Sequence, residues 1–396
     1  VLTIVVAARG SIELGGITSA MTGLGGALCG PLIGAAADRF GQRPTLLILG
    51  VVNSALLGCF AWIVFSPLPH WSMLVTAFLI GASTPQTSPM SRSRLVGIIS
   101  HDLPVARRPR LIGSVLAYES AADEVVFVFG PVLVGLLATT LGAWAPIAGA
   151  AVLTLVFVTA FALHRTSAPP KSREERARTL EPASALARPA LLVTVIGALG
   201  VGLYFGSMLT SLTAFMQDRG EADGTGLLYG AMGIGSAVLA LSVAALPARF
   251  SLRARWLVFA ATIVAGGILL QFVDSIPEMV VALVVMGFGI GPTLVNLYGL
   301  AAKRSPEGRS NTVMTMLGSG IMVGQSVGAA VTGIVAGSAG AGSDDAAFSG
   351  TGAALVIPLA AAVFVLLSGV ANWWLTRTET NRGLGHVPDR SLSGEE

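Results

Sequence analysis

The sequence predicts an all-α membrane protein whose helices form two similar bundles of six. Hydrophobic residues make up 53% of the 396 positions and charged residues only 11%, against roughly a quarter in an ordinary soluble domain. Long apolar runs recur along the chain, and a polar interval near the midpoint divides them into two groups. Short patterns of the first group return in the second, as expected for duplicated bundles.

Eleven runs are long enough to span a bilayer, since crossing ~30 Å of hydrocarbon takes about 17 to 25 helical residues. In chain order they are 15–37, 45–65, 73–90, 111–139, 143–163, 190–215, 226–246, 255–272, 279–300, 312–336 and 353–375. The segment 1–8 is apolar but too short to span, and the chain opens on Val1. We interpret it as the outer end of a truncated first helix, so twelve spans are expected.

The bases are distributed unevenly between alternate loops. Of the 24 Lys and Arg residues, 22 fall on one side of the predicted topology, Arg92 and Arg94 among them as loop bases, and only Arg9 and Arg219 on the other. Bases accumulate on the cytoplasmic side during insertion, which predicts a multi-pass protein of the inner (plasma) membrane with cytoplasmic linker and C-terminus. No aromatic residues alternate with the bases, so nucleic acid is not an expected partner.

The predicted division places an N-terminal bundle at 1–164, a linker at 165–189, a C-terminal bundle at 190–376 and a polar tail at 377–396. Internal similarity supports it. The sequence of 38–43 has a faded copy at 248–253, and that of 130–135 has one at 328–333. Each copy falls on the equivalent helix of the other half.

Two spans carry glycine at every fourth position, in one straight stripe along the helix. Small residues at this spacing let a second backbone approach closely in lipid. The stripes favour either helices that slide past their neighbours or tight packing without motion, and the sequence gives both equal weight. The two sets are Gly26, Gly30 and Gly34 in the second span and Gly320, Gly324 and Gly328 in the eleventh.

Three carboxylates lie within the spans, all in the fifth: Glu119, Asp123 and Glu124. A charge at the bilayer centre costs about 2.5 to 3.5 kcal/mol, so these side chains are not expected to face lipid. At about 100° and 1.5 Å per residue, Glu119 and Asp123 share one helix face and bracket the midplane, while Glu124 points to its side. This pattern predicts a proton-coupling site with Glu124 as a helper. The alternative is a structural polar network in which Tyr118 or Gln86 is the partner.

No base inside a complete predicted span is placed to balance these acids. Their expected partners are a proton, a cationic substrate or a residue of the first helix. Arg9 lies at the outer end, where an interface anchor or gate residue is the favoured role.

A charged loop joins the second and third spans, with Gly34, Asp38, Arg39, Gly41 and Arg43 in the spacing G-x-x-x-D-R-x-G-x-R. It resembles the loop that major facilitator superfamily transporters carry between these helices, although Gln42 stands where the family usually has a base. The resemblance implies the major facilitator fold and the transport of a small-molecule substrate, with the lipid bilayer as surroundings and a monomer as the default.

The same resemblance implies a conformational latch, in which Asp38 meets the N-terminal end of the eleventh helix near 310–312. Helix N-termini attract anions, which makes the contact physically sound. A topology signal without a latch is the alternative.

In the fifth span Gly130, Pro131 and Gly135 resemble the second half of the signature of drug/proton antiporters in this superfamily. We therefore expect proton-coupled efflux of small lipophilic or drug-like molecules by alternating access. A proton-coupled symporter that imports a small nutrient or metabolite is the alternative.

By the family's pseudo-symmetry, the fourth and tenth helices line the substrate cavity, which makes Gln86 and Asn296 candidate contacts together with Tyr118 and Gln325. Packing hydrogen bonds are an equal alternative. No metalloprotease, CxxC, P-loop or Ser/His pattern occurs in or beside the spans, so we expect neither an enzyme nor a bound metal or cofactor. A membrane-embedded scaffold or sensor is the remaining alternative class.

Overall fold

The computed structural model describes residues 2–9, 12–104, 107–167, 174, 180–221, 225–247, 250–339 and 350–383. Thirteen helices cover most of these residues, and no strand occurs among them. The helices are α1 (Leu2–Arg9), α2 (Ile12–Phe40), α3 (Gln42–Phe65), α4 (His70–Ala82), α5 (Thr87–Asp102), α6 (Arg108–Leu141), α7 (Ala145–Leu163), α8 (Pro189–Gln217), α9 (Thr225–Ser242), α10 (Leu252–Leu269), α11 (Ile276–Arg304), α12 (Ser310–Ala339) and α13 (Gly350–Gly383). The all-α prediction is confirmed.

We call α1–α7 the N half and α8–α13 the C half. By length and apolar composition, eight of the described helices are able to cross a membrane: α2, α3, α7, α8, α10, α11, α12 and α13. Outside these eight, Leu228–Ser242 of α9 is a shorter apolar segment, and the fourth predicted span is divided between α4 and α5.

The fourth span corrects a prediction. The sequence predicted one run over 73–90, but α4 ends at Ala82 and α5 begins at Thr87. Pro85 lies in the break and has no amide hydrogen to continue the helical ladder. Beyond the break α5 runs on to Asp102, and it therefore carries Arg92 and Arg94 as helical residues rather than loop residues.

The C half packs around one large apolar core. Helix α8 packs against α12 and α13, α9 packs against α11, and α10 packs against α11 and α13. Tyr204, Trp256 and Met286 are fully buried in this core. The burial of such large side chains fixes the relative positions of these helices.

The N half has two smaller cores, one around Phe60 and Met73 and the other around Leu46 and Met90. Helix α2 packs against α4, and α3 packs against α7. Helix α6 makes most of its contacts with α9 and α11 of the C half. It is therefore an interface helix.

The α2–α3 loop and the linker before α8 lie at the same end of the molecule as the start of α12. At this end, which we call the linker end, the Arg309 side chain donates to the Glu181 carbonyl at 2.6 Å. The ends of α5 and α7 lie here as well, since Arg94 donates to the carbonyl of Phe161 at 3.0 Å.

The two glycine stripes face different neighbours. A β-carbon added at Gly34 would lie 2.1 Å from the Thr315 hydroxyl of α12, so the α2 stripe faces the other half. A β-carbon at Gly324 would lie 2.1 Å from the Leu199 carbonyl of α8, so the α12 stripe packs within the C half. Both are close backbone contacts, but only the α2 stripe lies where the halves meet.

Candidate functional site

Glu119 and Asp123 lie on the face of α6 that meets α5. The Ser91 hydroxyl donates to Glu119 Oε1 at 2.7 Å, and the Ser88 hydroxyl donates to Asp123 Oδ1 at 3.2 Å. Serines of α5 are thus the hydroxyl partners of these acids. The side chain of Glu124 lies outside the described residues.

The two partners expected from the sequence do not make these contacts. Tyr118 is 66% exposed, and Gln86 donates to the nearby Thr84 carbonyl at 3.3 Å. The prediction that Tyr118 or Gln86 bonds the acids is therefore wrong for this conformation.

Arg92 is the base that the sequence analysis missed. Its Nη2 lies 2.5 Å from Asp123 Oδ2, and its Nη1 donates to the Ser88 hydroxyl at 2.8 Å. Only 2% of the side chain is exposed. The predictions that Arg92 is a loop base and that no base balances the acids are both wrong, because α5 continues past the end of the apolar run. The spacing of Ser88, Ser91 and Arg92 on one helical face is the signal that was available.

Arg92 also reaches across to the C half. Its guanidinium carbon lies 4.1 Å from the ring centroid of Tyr298 on α11, within the range of a cation–π contact. Tyr298 is buried. One arginine therefore joins an acid of the N half to an aromatic ring of the C half.

A second contact between the halves forms at the linker end. Asp38 Oδ1 accepts hydrogen bonds from the Asn311 amide at 3.0 Å and its side chain at 2.9 Å. Oδ2 accepts from the Thr312 amide at 2.8 Å and its hydroxyl at 2.6 Å. The carboxylate thus sits at the positive N-terminal end of α12, where the resemblance placed it. Its role as a latch stays a prediction.

Gln42 extends this contact to α5. Its amide nitrogen donates to Asn311 Oδ1 at 2.7 Å and to the Met90 carbonyl at 3.2 Å, and its oxygen accepts from Arg94 Nε at 2.9 Å. The Arg94 guanidinium lies 3.8 Å over the Phe161 ring, and the side chain is 8% exposed. Arg94 is therefore linked to this contact by a hydrogen bond through Gln42, and its prediction as a loop base is wrong.

The other residues of the α2–α3 loop motif form its turn, lie on its surface or pack against α12. Gly41 has φ of 94°, a conformation that favours glycine and reverses the chain between α2 and α3. Arg39 and Arg43 are exposed, and the Arg39 guanidinium lies 5.3 Å from the Phe40 ring centroid. Gly34 has no room for a side chain beside α12.

The predicted substrate residues lie in unlike surroundings. Asn296 is fully buried and donates to the Pro292 carbonyl at 2.7 Å, while its Oδ1 has no partner. Gln325 is half-buried on α12. Gly130 is half-buried on α6, and a β-carbon added there would meet nothing within 4 Å. Pro131 and Gly135 also lie in α6, but their side-chain environments are outside the described part of the structure.

Arg9 does not contact the acids. It donates to the Ile63, Ser66 and Leu68 carbonyls at the end of α3, at 3.4, 2.5 and 3.4 Å. Arg219 does the same in the C half, donating to the Phe215 carbonyl at 3.1 Å and the Asp274 carbonyl at 2.8 Å. Both bases cap helix ends away from the linker end.

Comparison with known proteins gives a family. The family description "Major Facilitator Superfamily" matches residues 2–270 and again 221–386. None of the curated proteins matches the chain.

Solved structures share the fold at low sequence identity. A bacterial homologue of the iron transporter ferroportin, in an outward-facing state, has a TM-score of 0.69 at 12% identity and covers 94% of this chain and 92% of its own. The E. coli fucose:proton symporter has a TM-score of 0.66 at 12% identity, with 93% of each chain covered. The human organic anion transporter MFSD10 has a TM-score of 0.64 at 18% identity, covering 89% and 83%.

The family match extends over nearly the whole chain and includes both halves. It agrees with the helical architecture and with the charged loop between α2 and α3. It also confirms that the chain is not an enzyme, since this is a family of transporters. The chain belongs to the Major Facilitator Superfamily.

Proposed function

We propose that the protein is a secondary active transporter that moves a small molecule by alternating access, with the linker end in the cytoplasm. The 22-to-2 distribution of bases supports this orientation. The halves meet at the linker end through Asp38 and through Arg92, so these contacts have to break when that end opens. We take the structure as its closed arrangement, with Asp38 as the latch.

We propose further that Asp123 and Glu119 couple this movement to protons. The observation that carries the proposal is Arg92, which bonds Asp123 in its own half and covers Tyr298 in the other. A proton on Asp123 removes the charge that orients Arg92 and so weakens the contact with Tyr298. Because a ligand shifts an equilibrium by its different affinities for the two states, proton binding then favours opening of the linker end.

Glu119 lies one helical turn closer to the linker end and is held by Ser91. In this scheme it passes protons between Asp123 and the cytoplasm, and Glu124 assists from the adjacent position.

We propose export of lipophilic or drug-like molecules as the direction, supported by the resemblance of Gly130, Pro131 and Gly135 to the antiporter signature. Proton-coupled import of a nutrient or metabolite is the second candidate. It is favoured by the structural likeness to a fucose:proton symporter. The likenesses to an organic anion transporter and to a ferroportin homologue suggest further substrate classes for the screen.

The test begins with a growth screen of cells that make the protein, against toxic lipophilic cations and antibiotics, with and without a collapsed proton gradient. A substrate found there is then followed in proteoliposomes under an imposed pH gradient.

We expect Glu119→Gln and Asp123→Asn to lose proton-driven accumulation while retaining exchange of substrate across the membrane. Asp102→Asn, an exposed acid at the end of α5, is the matched control. Full proton-driven transport by both variants would refute the coupling role.

A further inference from the structure

The loop of the C half that corresponds by duplication to the α2–α3 loop carries no acid at the position equivalent to Asp38. By the internal duplication, the α9–α10 loop corresponds to the α2–α3 loop, and the start of α6 corresponds to the start of α12. The position equivalent to Asp38 is Ala248, which lies outside the described residues. The N-cap residue of α6, Arg107, makes no side-chain capping bond. The C half therefore offers no carboxylate equivalent to that of Asp38.

A cavity of about 890 Å³ lies at this place, between α5 and α6 of the N half and α9, α10 and α11 of the C half. Its wall is largely apolar, with Ile112, Leu116, Leu246, Leu252 and Val295 among the lining residues. Four bases also line it, two from each half: Arg108, Arg110, Arg255 and Lys303.

Among the described residues, no acid pairs with these bases. The described lining of the cavity contains no carboxylate, and the two ion pairs found in the described part of the chain involve none of the four bases. Arg255 donates to the Leu246 and Pro247 carbonyls, but its Nε is buried without a partner. Arg108 donates to the Leu103 carbonyl at 2.8 Å. Four like charges around one cavity repel one another unless an anion enters.

We propose that this cavity binds the phosphate headgroup of an anionic phospholipid, which takes the place of the missing carboxylate. The required chemistry is an anionic head on an apolar body, because the lining combines bases with apolar side chains. A phospholipid supplies both at the helix ends, where headgroups lie, and basic cavities between membrane helices bind such headgroups. A soluble organic anion has the same chemistry and is distinguished by experiment.

The proposed ligand contacts bases of both halves at once. It therefore stabilises the arrangement in which the linker end is closed, since opening would separate Arg108 and Arg110 from Arg255 and Lys303. This inference rests on the cavity and its bases and does not require the proton-coupling role of Asp123.

The first test is native mass spectrometry of the full chain in detergent with phosphatidylglycerol or phosphatidylcholine. We expect phosphatidylglycerol to bind the unmodified protein about tenfold tighter, and the double variant Arg110→Gln/Lys303→Gln to lose this preference. Arg377→Gln, an exposed base at the same end outside the cavity, should keep it. Both substituted side chains of the double variant are exposed, and its melting temperature in phosphatidylcholine verifies folding.

A second arm tests the source of the anion. Inorganic phosphate and soluble hexyl phosphate are titrated as competitors, and we expect neither at millimolar concentration to displace phosphatidylglycerol. Displacement by hexyl phosphate with equal affinity would overturn the lipid assignment in favour of a soluble anion. Equal binding of the two phospholipids to the unmodified protein, or an unchanged preference in the double variant, would overturn the site itself.

Discussion

The two halves of this transporter bury different chemistry. The C half encloses a continuous apolar core around Tyr204, Trp256 and Met286. The N half has smaller apolar cores and places Asp38 and Arg92 in buried positions facing the C half. Its charges are therefore concentrated where the halves meet.

We interpret the C half as a scaffold and the face of the N half that meets it as a switching surface. Apolar burial holds the C-half helices together, and a change of charge does not alter it. Buried charges are stable only while paired, so contacts made by Asp38 and Arg92 are sensitive to a proton or to a small displacement. In the proposed mechanism, this asymmetry assigns sensing to the N half and support to the C half.

The largest effect is expected for Arg92→Gln. Loss of one partner from a buried ion pair costs about 3 to 5 kcal/mol, and because Asp123 is 45% exposed we expect about 2 kcal/mol after solvent screening. Proton-driven transport should fall at least tenfold, and the melting temperature should drop. Transport in proteoliposomes and thermal melting measure the two effects. Arg165→Gln, which changes an exposed linker base, serves as the control. If Arg92→Gln leaves transport unchanged, the role proposed for the N half is wrong.

Alanine substitutions in the two glycine stripes compare packing inside the C half with packing between the halves. Gly324→Ala overpacks α12 against α8 inside the C half and should lower the free energy of unfolding by about 1 to 3 kcal/mol. Gly34→Ala overpacks the interface between the halves and should instead increase opening of the linker end. Thermal melting follows the first effect, and labelling of a reporter cysteine at the linker end follows the second.

Each glycine variant has a control on its own helix. A β-carbon at Gly333 of α12 or at Gly16 of α2 meets nothing within 4 Å, so alanine there should be neutral. If Gly34→Ala and Gly324→Ala affect melting and labelling alike, the distinction between a moving and a fixed interface fails.

A smaller effect is expected for Asp38→Asn. The amide keeps an acceptor for Asn311 or Thr312 but loses the charge that the N-terminus of α12 favours, worth about 1 kcal/mol. The ratio of closed to open linker ends should fall roughly fivefold, and transport should decline while the protein still reaches the membrane. Surface abundance and transport rate, measured together, separate the two. Undiminished transport would speak against the latch.

The smallest effect is expected at the exposed ion pair between Arg188 and Glu181 in the linker, with an N–O distance of 2.5 Å. Exposed pairs contribute about 0 to 1 kcal/mol, so Arg188→Gln should leave melting and transport within error. A loss comparable to that of Asp38→Asn would show that the linker takes part in the contact between the halves.

The sequence predicted the helices of both halves well wherever apolar residues fill the span. The predicted run 45–65 corresponds to α3, and 190–215 corresponds to α8. The prediction failed for the fourth span, because a hydropathy search ends at the first polar stretch. Helix α5 tolerates Ser88, Ser91 and Arg92 since α6 and α11 cover them with hydrogen-bonding and aromatic partners. The same error hid the base that pairs with Asp123.

By itself the sequence determined that the chain spans a membrane as helices, because lipid offers no hydrogen-bond partners and a helix satisfies its own backbone. It also placed the acids on one face of α6 and, through the family resemblance, Asp38 at the start of α12. Only the tertiary structure decided which charges meet. Arg92 lies 31 positions from Asp123 in the chain, and Gln42 lies 52 from Arg94; the packing of separate helices brings them together, and local helical periodicity carries no information about that packing.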